Sequence, residues 1–258
     1  MYPTIDPSSF TVFITGATAG FGEAAARRYV AAGARVIATG RRADRLLALQ
    51  DELGADKCHI APFDVTDRVA FEAAIEALPE PFDKVNTVIA NAGLALGLEP
   101  ADKVDLDDWE QMVSTNINGL LYTVRLLLPR LIANGGGHVV TLGSVAGDYP
   151  YPSGSVYAAS KSFVKQLALC LRSDVQGKNV RVTNIEPGLA KTEFSSVRFK
   201  GDEDKADAAY LNTEFMTADD IVEAIWWATT LPRHVNITRI QMMPVTQALA
   251  GFDIHRQK

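Results

Sequence analysis

The amino-acid sequence predicts an α/β protein with one doubly wound parallel sheet of about seven strands and helices on both faces. Two observations carry this prediction. Short runs rich in Val, Ile, Phe and Thr alternate with helical stretches, and strands that are apolar almost throughout are typical of a covered parallel sheet. A glycine-rich turn joins the first such run to the first helix, as in Rossmann-like folds. We expect a single domain over residues 1–258.

The predicted strands are short apolar runs that end at turn formers or polar residues. They cover residues 10–15, 35–39, 59–63, 87–90, 138–142, 181–185 and 239–243. Helical patterns predict helices over 22–32, 44–53, 69–77, a long one within 106–133, 157–175 and one that opens at Thr217. Right-handed crossovers between such elements place helices on both faces and ligands at the carboxyl ends of the strands.

Composition excludes several classes of function. The 258 residues, 47% of them hydrophobic, are enough for a substantial core. A net charge of -6 supplies no basic footprint, so we expect neither nucleic acid nor an anionic membrane as a partner. The richest late apolar run, 120–128, is broken by Arg125, and the chain does not open like a signal peptide, which together predict a cytoplasmic protein. The isolated Cys58 and Cys170 and the scattered histidines predict no disulfide and no metal site.

The turn after the first strand reads Thr15-Gly-Ala-Thr-Ala-Gly-Phe-Gly22. Its glycines let the backbone approach a pyrophosphate, whose charge then meets the amides of the following helix. A glycine cluster can also be a simple turn, but a strand before it and a helix after it favour the dinucleotide site. We expect the cofactor to contact Gly16, Thr18, Ala19, Gly20, Phe21 and Gly22.

The second strand ends in Gly40-Arg41-Arg42, where an NAD-binding fold usually carries an acid. Paired guanidiniums suit a 2′-phosphate, so we predict NADP(H), although solvated arginines opening a helix are the alternative. Asp64, followed by Val65, closes the third strand and is expected to contact the adenine. Asn91, Ala92 and Gly93 close the fourth strand as a small-residue turn against which a cofactor can lie.

Tyr157 and Lys161 stand four residues apart on a predicted helix and therefore share one face. A phenol has a pKa of about 10, and a neighbouring cation favours the phenolate, which predicts a general acid/base with a lowered pKa. An exposed Tyr–Lys pair is the alternative, because this spacing recurs by chance.

Ser144 follows the fifth strand, where its hydroxyl can donate to a carbonyl oxygen of the substrate. Asn116 lies inside the long predicted helix among residues that disfavour helix interiors, so a local irregularity is expected there. A hydrogen-bonded core asparagine and a turn serine are the alternatives.

Together these features resemble the short-chain dehydrogenase/reductase family over nearly the whole chain. The matching pieces stand in the family's order: the glycine turn 15–22, 91–93, Asn116, Ser144, Tyr157, Lys161 and Pro187-Gly188. One departure is Ala90, where the family commonly has asparagine. The resemblance implies an enzyme in which NADPH delivers hydride to a carbonyl carbon. It further implies that Tyr157 donates the proton, Ser144 holds the oxygen, Lys161 binds the ribose and Asn116 positions a relay water.

The same resemblance implies that Pro187, Gly188 and Thr192 contact the nicotinamide end of the cofactor. A polar crossover over about 189–216 has weak periodicity and is expected to be a substrate lid. The residues 186–188, 192–202 and 243–257 resemble the branch of NADP-dependent 3-hydroxy acid dehydrogenases, which also oxidise serine. Such substrates carry a carboxylate, and we expect either that Arg198 pairs with it or that Arg198 is a solvated lid residue.

In this family two helices pair between subunits, so the resemblance also implies a homo-oligomer, with a tetramer expected. The apolar end of the chain, around 242–252, is expected to reach a neighbouring subunit. Two other functions stay open: a reductase of another carbonyl, such as a ketone or diketone, and a non-catalytic NADP(H)-sensing protein.

Overall fold

The computed structural model describes residues 3–249, and its sheet has the architecture that the sequence predicts. Seven strands form one sheet in the order β3-β2-β1-β4-β5-β6-β7, and every neighbouring pair is parallel. They are β1 Thr11–Ile14, β2 Arg35–Gly40, β3 Cys58–Pro62, β4 Thr87–Ala90, β5 Gly137–Leu142, β6 Val180–Pro187 and β7 Arg239–Met242. The prediction of a doubly wound parallel sheet is confirmed.

The helices cover both faces of this sheet. They are α1 Gly20–Ala31, α2 Ala43–Leu53, α3 Arg68–Glu76, α4 Leu106–Val113, α5 Gly119–Ala133, α6 Ser155–Asp174, α7 Phe194–Arg198, α8 Glu203–Ala208 and α9 Ala218–Thr230. Alternate strand residues point to opposite faces. Phe13 therefore packs in the core beneath α3, α5 and α6, whereas its neighbours Val12 and Ile14 pack in the core beneath α1, α2 and α9.

The strand order positions the site. The chain runs from β1 outward through β2 to β3 and then returns to β4, which pairs with the other side of β1. The connections from β1 and β4 therefore leave in opposite directions, and a crevice opens between their carboxyl ends.

The long helix predicted within 106–133 is interrupted. Between α4 and α5, the residues Ser114–Asn118 form a π-helical turn that contains Asn116. This turn is the irregularity expected at Asn116, and single π-helical turns are frequently found at functional sites.

The predicted lid over about 189–216 is partly helical, which its weak periodicity did not indicate. It contains the short helices α7 and α8, and α8 begins where the Asp202 side chain accepts a hydrogen bond from the Lys205 backbone. After the lid, Thr217 and Asp220 form the capping box expected at the start of α9. Within residues 3–249, no helix is long and apolar enough to cross a membrane. The resemblance through 255–257 and part of the apolar end 242–252 lie outside the described residues.

Candidate active site

A cleft of about 350 Å³ lies at the carboxyl edge of the sheet. Most of the residues predicted for the cofactor and the chemistry line it. They are Gly16, Thr18, Ala19, Gly20, Phe21, Arg41, Arg42, Asp64, Val65, Asn91, Ala92, Gly93, Ser144, Tyr157, Lys161, Pro187, Gly188 and Thr192. Three predicted residues, Gly22, Asn116 and Arg198, are not among the residues that line this cleft.

The glycine turn needs its glycines for two different reasons. Gly16 and Gly20 have φ angles of 69° and 56°, in the left-handed region that side chains disfavour. Gly22 lacks space, since a Cβ there would lie 2.3 Å from the Gly16 carbonyl oxygen and 2.6 Å from Asn91 Nδ2. Asn91 Nδ2 in turn donates to the carbonyl oxygens of Thr15 and Gly16, at 3.0 Å each. The turn is therefore tied to the end of β4 across the crevice.

The two predicted arginines have different surroundings. Arg41 is 61% exposed, and its NH1 lies 3.6 Å from Asp64 Oδ2. Arg42 donates from Nε and NH2 to Thr18 Oγ1 at 3.1 and 2.9 Å. Its NH1 donates to Glu193 Oε2 at 2.9 Å, and Arg45 binds the other oxygen of the same carboxylate.

Sequence reasoning missed Arg45 and Glu193. Arg45 follows Arg42 by three residues at the start of α2, and this helical spacing could have placed both on one face. Burial would raise the pKa of Glu193, but hydrogen bonds from Arg45 and Arg42 outweigh it and hold that pKa below its usual value. The carboxylate is therefore ionised at neutral pH.

The carboxylate of Asp64, which is predicted to contact the adenine, is already hydrogen-bonded within the protein. Its Oδ1 accepts from the Thr66 backbone at 2.9 Å and from the Thr66 hydroxyl at 2.8 Å, which folds the end of β3 into a local turn. Its Oδ2 faces Arg41. The neighbouring Val65 packs its side chain close to Gly119, where an added Cβ would lie 2.8 Å from a Val65 methyl group.

Lys161 is anchored on the sheet. Its Nζ donates to the Leu142 carbonyl oxygen at 2.8 Å and lies 5.7 Å from the centroid of the Tyr157 ring. The residue is 7% exposed, and burial lowers the pKa of Lys161 to about 8. The first two turns of α6 thus bring the ammonium and the phenol to the same part of the cleft.

The pKa of Tyr157 is shifted in the direction opposite to the expected one. Burial of the phenol raises the pKa of Tyr157 to about 12, and the hydrogen bond with Ser144 and the charge of Arg198 offset it only in part. Phe194 contributes to this burial, with its ring centroid 5.6 Å from that of Tyr157. Lys161 is not among the groups that shift this pKa, and its ammonium donates to the Leu142 carbonyl oxygen.

Ser144 stands directly after β5, as predicted. Its Oγ accepts from the Ala146 backbone at 3.1 Å and lies 3.3 Å from the Pro187 carbonyl oxygen, to which it donates. These contacts hold the hydroxyl at the end of the cleft next to Tyr157.

Asn116 is buried behind the cleft and is fully engaged. Its Oδ1 accepts from Leu94 N at 2.8 Å, and its Nδ2 donates to Leu94 O at 2.8 Å and to Ser160 Oγ at 3.1 Å. Gly93 separates it from the lysine: a Cβ on Gly93 would lie 3.3 Å from Asn116 Oδ1 and 3.5 Å from Lys161 Nζ. The asparagine therefore holds the loop after β4, and its relay role stays a prediction.

Arg198 lies beside Tyr157 on the lid. Its guanidinium carbon is 5.2 Å from the Tyr157 ring centroid, and NH2 donates to the Tyr151 hydroxyl at 2.6 Å. Its Nε is buried and has no hydrogen-bond partner among the described residues. Thr192, at the start of the lid, packs on the glycine turn, since a Cβ on Gly20 would lie 3.3 Å from Thr192 Cβ.

A parallel sheet with a glycine turn and paired arginines at its switch point defines the class of dinucleotide-binding α/β proteins. The chain belongs to the short chain dehydrogenase family, whose model matches residues 10–203. The resemblance stated from the sequence is thereby confirmed.

The chain is also similar over nearly its whole length to individual proteins with known names. The chain is 52% identical to the NADP-dependent 3-hydroxy acid dehydrogenase of Escherichia coli strain K12 over 95% of its length and 99% of that protein. It is 51% identical to the serine 3-dehydrogenase of Agrobacterium fabrum over 96% of its length and 99% of that protein. A solved closed form of serine dehydrogenase complexed with NADP+ superposes with a TM-score of 0.94, at 52% identity over 95% of this chain and 99% of that one.

Proposed function

We propose that the protein is an NADP(H)-dependent oxidoreductase that interconverts the 3-hydroxyl and 3-oxo groups of small 3-hydroxy acids, such as serine, 3-hydroxypropionate and 3-hydroxyisobutyrate. The observation that carries this proposal is the cleft itself. It runs from the glycine turn and the exposed Arg41 to the group formed by Ser144, Tyr157 and Lys161. Proteins named for this activity are 52% identical to the chain over 95% of its length.

The residues of the cleft fit NADP(H). Gly16 leaves a cradle that a side chain would fill, because a Cβ there would lie 3.0 Å from Ala92 Cα. Arg41 exposes its guanidinium at the end of β2, where a 2′-phosphate is expected. In our proposal the glycine turn and 91–93 hold the pyrophosphate and its surroundings, whereas 187–188 and Thr192 lie toward the nicotinamide. When bound, the cofactor supplies or accepts the hydride.

The protein's own residues would control the proton. With a pKa of about 12, Tyr157 carries its proton at neutral pH, which is the state needed to protonate an oxygen during reduction. Ser144 offers a second donor to the same oxygen, and Lys161 offers a buried ammonium. In the oxidation direction Tyr157 must first lose its proton, so we expect the oxidation rate to rise with pH.

One substrate panel tests this proposal against its alternatives. NADPH absorbance would be followed with serine, 3-hydroxypropionate, 3-hydroxyisobutyrate and apolar alcohols, each with NADP+ and with NAD+. Preference for 3-hydroxy acids with NADP+ supports the proposal, turnover of other alcohols alone indicates a different reductase, and cofactor binding without turnover indicates a sensor. In the same assay we expect Tyr157→Phe to lower turnover by at least about 10²–10⁴-fold, and near-normal activity would refute the acid/base assignment.

We also propose that Arg198 binds the carboxylate of the substrate. Its guanidinium already lies beside Tyr157, and its buried Nε is a donor without a protein partner among the described residues. A hydrogen bond to a charged group contributes about 1.5–3 kcal/mol, so Arg198→Ala should raise KM for 3-hydroxy acids roughly 10- to 100-fold. Apolar alcohols serve as the control, since they lack the carboxylate, and an unchanged KM for serine would exclude this role.

We further propose a cytoplasmic homotetramer built from single-domain subunits. Both cysteines, Cys58 and Cys170, are free, as in a reducing compartment. Val113 at the end of α4 and Leu121 in α5 are apolar and each 38% exposed, which makes them candidates for a subunit contact. Light scattering coupled to size-exclusion chromatography measures the assembly directly, and a monomer at micromolar concentration would contradict this proposal.

A further inference from the structure

The Glu193 carboxylate joins the lid to the cofactor end of the cleft. It stands immediately before α7, and its two oxygens bind two different arginines of the segment after β2. Oε2 accepts from Arg42 NH1 at 2.9 Å, and Oε1 pairs with Arg45 NH1. These partners are 151 and 148 positions away in sequence. The contact therefore connects parts of the chain that the sheet alone does not bring together.

Arg42 is the central member of this connection. Its Nε and NH2 are directed at Thr18 Oγ1 in the glycine turn, and its NH1 is directed at Glu193. Most of its donors are thus already used inside the protein. Arg41, in contrast, is 61% exposed and only 3.6 Å from Asp64, so its guanidinium is the freer one for a phosphate.

The other end of α7 is fastened independently. Lys200 Nζ pairs with Asp108 Oδ1 of α4 at 2.8 Å, and the Gly97 backbone donates to the Arg198 carbonyl oxygen at 2.9 Å. Between the two attachments lie Phe194, whose ring centroid is 5.6 Å from that of Tyr157, and Arg198, whose guanidinium carbon is 5.2 Å from it. The short helix α7 is therefore a strap across Tyr157 with an ion pair at each end.

We propose that Glu193 is a positioning residue that holds α7 over Tyr157 by sharing the arginines of the 2′-phosphate end. This inference rests on the proposed function, and it adds a coupling between cofactor recognition and closure of the substrate lid. Arg41 is then the principal phosphate ligand, whereas Arg42 serves both the phosphate and the lid. A carboxylate and a phosphate that share one guanidinium repel each other, so the lid contact and cofactor affinity oppose one another.

This arrangement predicts that Glu193→Gln raises KM for serine without weakening NADPH binding. Removal of the carboxylate charge loosens the strap, so KM for serine should rise about 2- to 10-fold, the range expected for two partly exposed ion pairs that share one group. The same change frees Arg42 and removes a negative charge beside the phosphate, so NADPH should bind equally tightly or more tightly. General loss of structure would instead weaken both.

The experiment compares wild type, Glu193→Gln and a matched control. Glu214→Gln removes the same charge from the same lid, and the Glu214 side chain makes no salt bridge within residues 3–249. Three quantities are measured: KM for serine, the dissociation constant of NADPH by fluorescence, and the rate of tryptic cleavage after Lys200 and Lys205 in the protein without cofactor. We expect faster cleavage and a higher KM in Glu193→Gln only, with NADPH binding not weakened.

A cleavage rate equal to that of the control would overturn the proposal, and so would NADPH binding weakened as much as serine binding. Lys200→Gln provides an internal comparison, because it releases the other end of α7 from Asp108. The variant lacks the cleavage site at Lys200, so cleavage after Lys205 is compared, and both this cleavage and KM should rise without strengthening NADPH binding. Cleavage requires neither cofactor nor turnover. A wild-type protein that oxidises no 3-hydroxy acid would therefore refute the proposed function. The cleavage rates would still test whether Glu193 holds α7 in place.

Discussion

Replacement of Asn116 by alanine tests what the π-helical turn is for. The variant removes one acceptor and two donors from a residue that is 2% exposed. It leaves the N–H and the C=O of Leu94 without their partner, and each buried polar group left unpaired costs about 1–3 kcal/mol. The two groups set a range of roughly 2–6 kcal/mol, and we expect about 3 kcal/mol because the loop can relax in part.

For a chain of this size, 1 kcal/mol corresponds to about 2–4 °C in Tm, so the expected decrease is roughly 6–12 °C. Calorimetry and urea unfolding measure it. Asn118→Ala is the matched control, since it lies in the same turn and its side chain makes no hydrogen bond within the described residues. Equal decreases in the two variants, or a loss below about 1 kcal/mol in Asn116→Ala, would refute the hydrogen-bond reasoning.

Two further predictions concern packing and pH. Gly22→Ala places a Cβ 2.3 Å from the Gly16 carbonyl oxygen, and overpacking of this kind costs about 1–3 kcal/mol. The affinity for NADPH should therefore fall about tenfold or more in a fluorescence titration. An unchanged dissociation constant would contradict this prediction. Burial, with a smaller contribution from Arg181, holds the pKa of His138 well below its usual value of 6.5. Below about pH 6.5 this histidine is therefore protonated in the unfolded chain but not in the folded one, so the free energy of unfolding falls as the pH drops. In urea unfolding, His138→Gln should reduce this slope by up to ~1.4 kcal/mol per pH unit, and a slope equal to that of wild type would contradict the assignment.

The elements that could be predicted from the sequence are those with local signals. The fourth strand, predicted over 87–90, has the same bounds in the structure as β4, because an apolar run and a small-residue turn define both of its ends. Asn116 and Gly119 disfavour a regular helix, and the irregularity expected from them is the π-helical turn. The glycine turn, Ser144 and Tyr157 converge because the carboxyl ends of parallel strands share one edge.

The features that could not be predicted depend on contacts distant in sequence. Glu193 meets Arg42 across 151 positions, and no periodicity encodes such a pairing. The direction of the Tyr157 pKa was also wrong, because the expectation counted the nearby Lys161 and not the burial to which Phe194 contributes. The helix α8 was missed because six residues of polar sequence carry little helical signal beyond the cap at Asp202.

The edge of the sheet formed by the amino ends of its strands lies opposite the cleft. A fluorescent label can be attached there without touching the cleft. The turn between α6 and β6 lies at the amino ends of the strands, and its residue Lys178 is exposed. Lys178→Cys would carry a fluorophore far from the ligand edge, once the exposed Cys170 is replaced. A second label can be placed on the lid at Leu211, which is 69% exposed. Energy transfer between the two labels would report the distance from the lid to the amino ends of the strands in real time.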